Sequence, residues 1–270
     1  MEAAEGGARV RLERASLRFG ARTVWDELDL EMAPGEFLAV LGPNGSGKTT
    51  LIKILLGLLP LSGGTATIDG RPPRRGSPLV GYVPQQRAFD DGVALRGRDL
   101  VQLGLDGHRW GLPFRRSRRV DAAIESVGAS AYASAPLGTL SGGEQQRLRI
   151  AQALVGAPRL LLCDEPLLSL DLASQQSVVG LIDAQRREIG CSVVFVTHEI
   201  NPVIGMVDRV LYVAGGRWAQ GNVDQVLTAE SLTRLYGAPV DVIRVRDRIV
   251  VLGGEGEPSS DPHHLGHGHR

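Results

Sequence analysis

Polar and apolar positions alternate in the first part of the chain and then cease to. Residues 10–19 (VRLERASLRF) alternate in part, the turn Gly20-Ala21-Arg22 follows, and 23–32 (TVWDELDLEM) alternates again, which predicts antiparallel strands. "FLAVL" (37–41) has no polar position, the pattern of a strand buried on both faces of a parallel sheet. A helix is predicted from about Lys48 to Leu56, ended by Gly57 and Pro60, and "TATIDG" and "LVGYVPQ" read as two further strands. Between about 90 and 155 the apolar period becomes helical, in "RDLVQLGL" and "RVDAAIESVG", with the basic stretch "HRWGLPFRRSRR" (108–119) between them. This predicts an inserted helical subdomain. From 141 onward helix and strand alternate: helix 143–155, strand 160–163, helix 174–189, strand 192–196, then a shorter helix and strands to about 221. Such alternation implies an α/β fold with a parallel sheet covered by helices. The last residues, 253–270, are rich in Gly, Pro, Ser and His, and a disordered tail is expected there.

Composition narrows the class. At 270 residues, 43% hydrophobic and 22% charged, the chain can bury a sizeable globular core. A formal net charge of zero supplies no whole-molecule field for nucleic acid, so no nucleic-acid partner is expected. The richest apolar run, "LIKILLGLLPL" (51–61), is too short to span a membrane and carries Lys53 and Pro60. The opening "MEAAEGGARV" lacks a signal-peptide pattern. Cys163 and Cys191 lie in apolar runs without metal-ligand spacing, which suits buried, reduced thiols in the cytosol. Lys and Arg together number 30, yet only Lys48 and Lys53 are lysines. A chain that writes its positive charge as Arg keeps the slimmer ammonium at 48, where a narrow glycine-lined loop admits a point charge and not a planar fork.

That loop, "GPNGSGKT" (42–49), fits G-x-x-x-x-G-K-[ST] after a buried strand and before a helix. Gly42, Pro43, Asn44, Gly45, Ser46, Gly47, Lys48, Thr49 and the following Thr50 are therefore candidate nucleotide contacts. The glycines let backbone N–H groups converge on phosphate, Lys48 reaches the β- and γ-phosphates, and Thr49 is a candidate Mg²⁺ ligand. "LLLCDEP" (160–166) delivers two acids at the end of a second buried strand. Asp164 is the candidate Mg²⁺ holder, and Glu165 the residue that orients or deprotonates attacking water. The pair of motifs reads as a P-loop NTPase, and the absence of an N-K-x-D segment argues against a small GTPase. "LSGGEQQRLRIAQAL" (140–154) supplies a second glycine-opened helix end, more than one nucleotide needs. The inference is that it grips the nucleotide of another copy.

With this motif the sequence resembles the ATP-binding cassette (ABC) family, LSGGE being similar to that family's signature, over about residues 9–237. The resemblance implies an ABC-type nucleotide-binding domain with an N-terminal antiparallel β subdomain, a parallel-sheet core and the helical insertion at about 90–155, followed by an extension at 238–252. "YVPQ" then places Gln85 as the Q-loop glutamine, contacting Mg²⁺ and the attacking water. "SLD" (169–171) looks like the D-loop, and "VTHE" makes His198 the switch histidine. Phe19 stands where the family stacks an aromatic ring on adenine, although simple core packing also accounts for it. The resemblance further implies ATP and Mg²⁺ as cofactors and a head-to-tail dimer. In that dimer Ser141, Gly142, Gly143 and Glu144 of one copy face the nucleotide held by the other.

A cassette without a membrane span borrows one. The resemblance implies an integral membrane permease subunit, an extracytoplasmic solute-binding protein, and a place on the inner face of the cell membrane. "HEINPV" after His198 looks like the branch that imports zinc or manganese, or iron. Four of the six histidines, His263, His264, His267 and His269, end the chain; they suit either a metal-binding tract or a solvated tail. Arg115, Arg116, Arg118 and Arg119 read as a solvated face. The alternatives are a cassette for another solute, an exporter, a soluble cassette of DNA repair or translation, and a nucleotide-gated module without turnover.

Overall fold

The computed structural model describes residues 6–85, 94–106, 117–246 and 248–253. Two long strands, β1 (Val10–Phe19) and β2 (Arg22–Met32), pair antiparallel, and β4 (Gly63–Ile68) joins the other edge of β1. The alternation in β1 is only partial because a bulge resets its phase. Val10 and Leu12 point inward, Arg14 takes a positive φ of 42°, and the next inward residues are Ala15 and Leu17. Glu27, with φ 47°, does the same in β2 between Trp25 and Leu28.

The central sheet has the order β5-β6-β7-β3-β8-β9. It comprises β3 (Phe37–Leu41), β5 (Val80–Val83), β6 (Leu160–Asp164), β7 (Ser192–Val196), β8 (Arg209–Ala214) and β9 (Arg217–Gly221); only the β8–β9 pair is antiparallel. Every residue of β3, β6 and β7 is buried. The period of two divides them between two cores. Phe37, Ala39, Cys163, Val193 and Phe195 face the helices, while Leu38, Val40, Leu162, Val194 and Val196 face helix α1 (Lys48–Leu55) and the three-stranded sheet. Unbroken apolar runs follow because neither face meets water.

Between β5 and β6 the chain leaves the sheet for α2 (Gly97–Asp106), α3 (Arg118–Ser126) and α4 (Gly142–Leu154), which pack on one another. The 18-residue α5 (Leu172–Ile189) connects β6 to β7, its last turn closed by Gly190 with φ 69°. The short helix expected after 196 is instead a 3₁₀ turn at Ile204–Met206, since Pro202 and Gly205 interrupt the segment. Helices α6 (Val223–Val226) and α7 (Ala229–Tyr236) then lead into a hairpin of β10 (Val240–Val245) and β11 (Arg248–Gly253). Residues 107–116, with Arg115 and Arg116 of the basic stretch 108–119, and the tail at 254–270, with its four histidines, lie outside the described residues.

Candidate functional site

β3 ends at Leu41 and α1 begins at Lys48, so the loop 42–47 opens at the C-terminal edge of the sheet, where α/β folds bind ligands. Its glycines are required by space. A Cβ on Gly42 (φ 142°) would stand 2.0 Å from the carbonyl oxygen of Val213, and one on Gly47 (φ 100°) 2.4 Å from a methyl of Val24. Lys48 is only 6% exposed and donates from Nζ to the carbonyl oxygens of Gly42 (2.7 Å) and Pro43 (3.0 Å). The Ser46 hydroxyl is buried without a hydrogen-bond partner. No side chain caps α1 and no acid lies in its first turn. An unmet buried hydroxyl costs about 1–3 kcal/mol and uncapped N–H groups attract anions, so this loop fits phosphate oxygens.

Two strand ends add the carboxylates. Asp164, at the end of β6 and 2% exposed, accepts a hydrogen bond from Thr49 Oγ1 at 3.0 Å. Burial raises its pKa above the ordinary carboxylate value, and the Glu165 charge pushes the same way against the Thr49 hydrogen bond. Burial likewise lowers the pKa of Lys48, opposed by Glu165 and Asp164. Each group lacks full counter-charge: phosphate would supply it to Lys48 and a divalent cation to Asp164. Glu165 adopts φ 48°, and its N–H donates to the Val196 carbonyl at 3.0 Å. That contact binds the end of β6 to β7 and turns the Glu165 side chain to His198, whose Nδ1 lies 2.7 Å from Oε2.

Phe19, Arg22, Val24, Asn44, Gly45, Gly47, Lys48, Thr49, Thr50, Gln85 and Glu165 line a cleft of about 310 Å³, to which Asp164 is joined through Thr49 and His198 through Glu165. The exposed Phe19 ring belongs to the cleft wall rather than the core. The structure thus brings the loop, both acids, Gln85, His198 and Phe19 together. It does not bring in Ser141, Gly142, Gly143 or Glu144, none of which lines the cleft. They form the tip of α4. There the Ser141 hydroxyl accepts from Glu144 N–H (3.3 Å), while a Glu144 carboxylate oxygen accepts from Ser141 N–H and Oγ–H (2.8 Å each). The tip adjoins the start of α5: a Cβ on Gly143 would meet Ser174 Oγ at 3.2 Å, and Ser174 N–H is capped by Asp171 at 2.9 Å.

A phosphate loop, an acid-ended strand with its histidine, and a separate glycine-opened helix tip occur here on one sheet. The family model of the ABC transporter matches residues 25–168, from Trp25 in β2 through the second acid. The chain belongs to the ABC transporter family. The architecture agrees. A chain of an inward-facing metal-chelate type ABC transporter superposes with a TM-score of 0.75 at 27% identity, covering 91% of this chain and 96% of that one. CbiO1 from Clostridium perfringens, part of the ABC transporter complex cbiONQ, gives 0.69 at 27% identity, covering 83% and 92%. The ADP conformation of MJ1267, an ATP-binding cassette of an ABC transporter, shares the fold, with a TM-score of 0.71 at 19% identity over 81% and 92%. The protein is an ABC ATPase domain, and its nucleotide is ATP. Among the described residues no helix is long and apolar enough to cross a membrane, and no cluster of His, Cys, Asp and Glu is set to hold a metal ion.

Sequence reasoning passed over two residues at this ABC cassette's site. Arg22 is the cross-strand neighbour of Phe19, lines the cleft, and donates from Nη2 to the Gly45 carbonyl at 3.0 Å. Its only sequence signal was its place in the turn that follows Phe19. Asn201 lies three residues beyond His198, and its amide bonds both the N–H (2.8 Å) and the carbonyl (2.9 Å) of Ile249 in β11.

Proposed function

We propose that the chain is the ATP-hydrolysing subunit that drives divalent metal uptake, of zinc, manganese or iron, through a separate membrane-embedded permease supplied by an extracytoplasmic binding protein. The observation that carries this reading is the match along nearly the full length of both chains to a metal-chelate type transporter. The sequence around "HEINPV" supports it. The carried ion is cargo; the cassette supplies motion.

Thr49 and Asp164 fit Mg²⁺: a hydroxyl and a carboxylate 3.0 Å apart, the carboxylate buried and short of counter-charge. When bound, the ion would neutralise charge on the phosphate oxygens. Gln85 faces the same space and completes the proposed contacts. Lys48 holds the β- and γ-phosphates, and Phe19 stacks on adenine. Glu165 takes a proton from the attacking water, held in orientation by His198. Ser141, Gly142 and Gly143 close on the γ-phosphate of a second copy, with Glu144 fixing the Ser141 backbone. Hydrogen bonds to charged groups contribute about 1.5–3 kcal/mol each, so a few across the interface favour closure, and loss of the γ-phosphate favours opening.

The test is reconstitution with the membrane subunits in liposomes. ATP-dependent uptake of radioactive zinc or manganese is expected, and Glu165→Gln should bind ATP and dimerise while losing uptake. Turnover by Glu165→Gln at the parent rate removes Glu165 from its role. ATP turnover that none of the three metals stimulates and that moves none of them overturns the metal assignment.

A further inference from the structure

β10 and β11 pair with Asp241 opposite Leu252, Ile243 opposite Val250 and Val245 opposite Arg248, alternating with Val242 opposite Val251 and Arg244 opposite Ile249. Opposed residues share a face. One face is anchored to the body of the protein. Ile249 is buried and clamped by Asn201, and Arg244 pairs with Asp224 at 2.6 Å. The other face holds Ile243, Val245, Val250 and Leu252, each 43–56% exposed. Its two charged members, Asp241 and Arg248, have no hydrogen-bond or ion-pair partner among the described residues. Val251 on the anchored side is itself 39% exposed, so the hold rests on Val240, Ile249 and the Asn201 clamp, and the other side is the more exposed apolar face.

We propose that this outer face is a contact between two copies of the chain, made across the two-fold axis of the ATP-closed dimer; it rests on the dimer reading given above. Charge complementarity selects a second copy. A two-fold axis running across the strands through the Ile243–Val250 row lays each of these residues on its own counterpart. The same axis turns the Asp241–Leu252 row onto the Val245–Arg248 row. Each carboxylate then comes beside a guanidinium of the other copy, once at each end, with aliphatic side chains filling the roughly 10 Å between packed sheets. The chain beyond β11 is a poor alternative cover, because residues 254–270 include, apart from two prolines, one aliphatic side chain larger than alanine, Leu265. Three rows of side chains fall well short of the about 800 Å² per partner that sustains a dimer alone. The face therefore adds to nucleotide-driven closure, and Asn201 ties it to the segment that carries His198.

In the full-length Glu165→Gln chain with Mg-ATP, Asp241→Arg and Arg248→Asp should each weaken dimerisation about tenfold by analytical ultracentrifugation. Combining them should restore it to within about threefold, since the pair is rebuilt with reversed sign at both ends. Single exchanges without effect, or a combination no better than either alone, overturn the contact. Val250→Cys supplies an independent readout, the native Cys163 and Cys191 being buried. Oxidation should join two chains through position 250, more so with Mg-ATP. If the parent Glu165→Gln chain stays monomeric with Mg-ATP, the closed-dimer reading fails by itself. Cross-linking at 250 then still upholds the hairpin contact, and its absence in both nucleotide states overturns it. Cross-linking that arises only after removal of 254–270 assigns the face to the tail and likewise overturns the proposal.

Discussion

Helix α1 opens at Gly47, with φ 100°, no capping side chain and Lys48 folded beneath it, whereas α4 opens at Ser141, whose hydroxyl and N–H are already engaged by Glu144. Both tips are preceded by glycine-containing turns and both are candidates for the same phosphate. The first is open and cationic within a single chain. The second is satisfied by its own carboxylate, which stabilises the helix by about 1 kcal/mol and holds negative charge where phosphate would arrive. On the proposed reading ATP therefore loads on the Lys48 side first. The Ser141 side engages only when a second copy presents a γ-phosphate strong enough to displace the internal bond.

Several substitutions would break or sharpen this contrast. Lys48→Ala should lower ATP affinity by about 100-fold or more in calorimetric titration, whereas Ser141→Ala should leave binding to the single chain unchanged and abolish ATP-dependent dimerisation. Equal losses from both would erase the distinction. Next in size is a pH effect. Because burial raises the pKa of Asp164, protons compete with Mg²⁺ from a pH above the usual carboxylate value of about 4, and Mg²⁺-dependent ATP affinity should fall about tenfold per unit below it. The sign for stability is opposite. The empty protein carries the cost of the ionised Asp164 above the raised pKa and is relieved of it as pH falls. Asp164→Asn should accordingly melt higher than the parent at neutral pH, and the gap should narrow on acidification. Arg22→Ala should weaken ATP binding about fivefold with little change in kcat, because Arg22 braces the Gly45 carbonyl and the Phe19 wall rather than the reacting atoms. The smallest effect is a gain. Glu144→Gln removes charge from the α4 tip and should tighten ATP-dependent dimerisation about threefold, as read by light scattering.

The contrast also explains which features could be seen in the chain before folding. FLAVL, LLLCD and SVVFV are legible because a strand buried on both faces leaves its interior positions apolar, with the polar Ser192 and Asp164 only at strand ends, and the glycine loop is legible because a Cβ on Gly42 would stand 2.0 Å from the Val213 carbonyl oxygen. Gly142 and Gly143 stand out as a glycine pair opening a long helix. Arg22 was not legible: in a chain with two lysines among 30 cationic side chains another arginine carries no signal, and its position depends on the β1–β2 register. Asn201 reads as a loop residue, since its partner Ile249 lies 48 residues away. The bulge at Arg14 blurred β1 by moving its apolar positions out of step. The C-terminal hairpin hid behind two apolar faces, which remove the alternation that marks a half-buried strand.

The scarcity of lysine has a practical consequence. Only two ε-amines are offered to an acylating reagent, Lys53 exposed on α1 and Lys48 at the floor of the cleft. The lowered pKa of Lys48 leaves more of it as the nucleophilic free amine than a lysine in water at the same pH, and a bound triphosphate would both reprotonate and screen it. The ratio of label at 48 to label at 53 in peptide mass spectra is then an intrinsic gauge of nucleotide occupancy, with Lys53 as its internal standard.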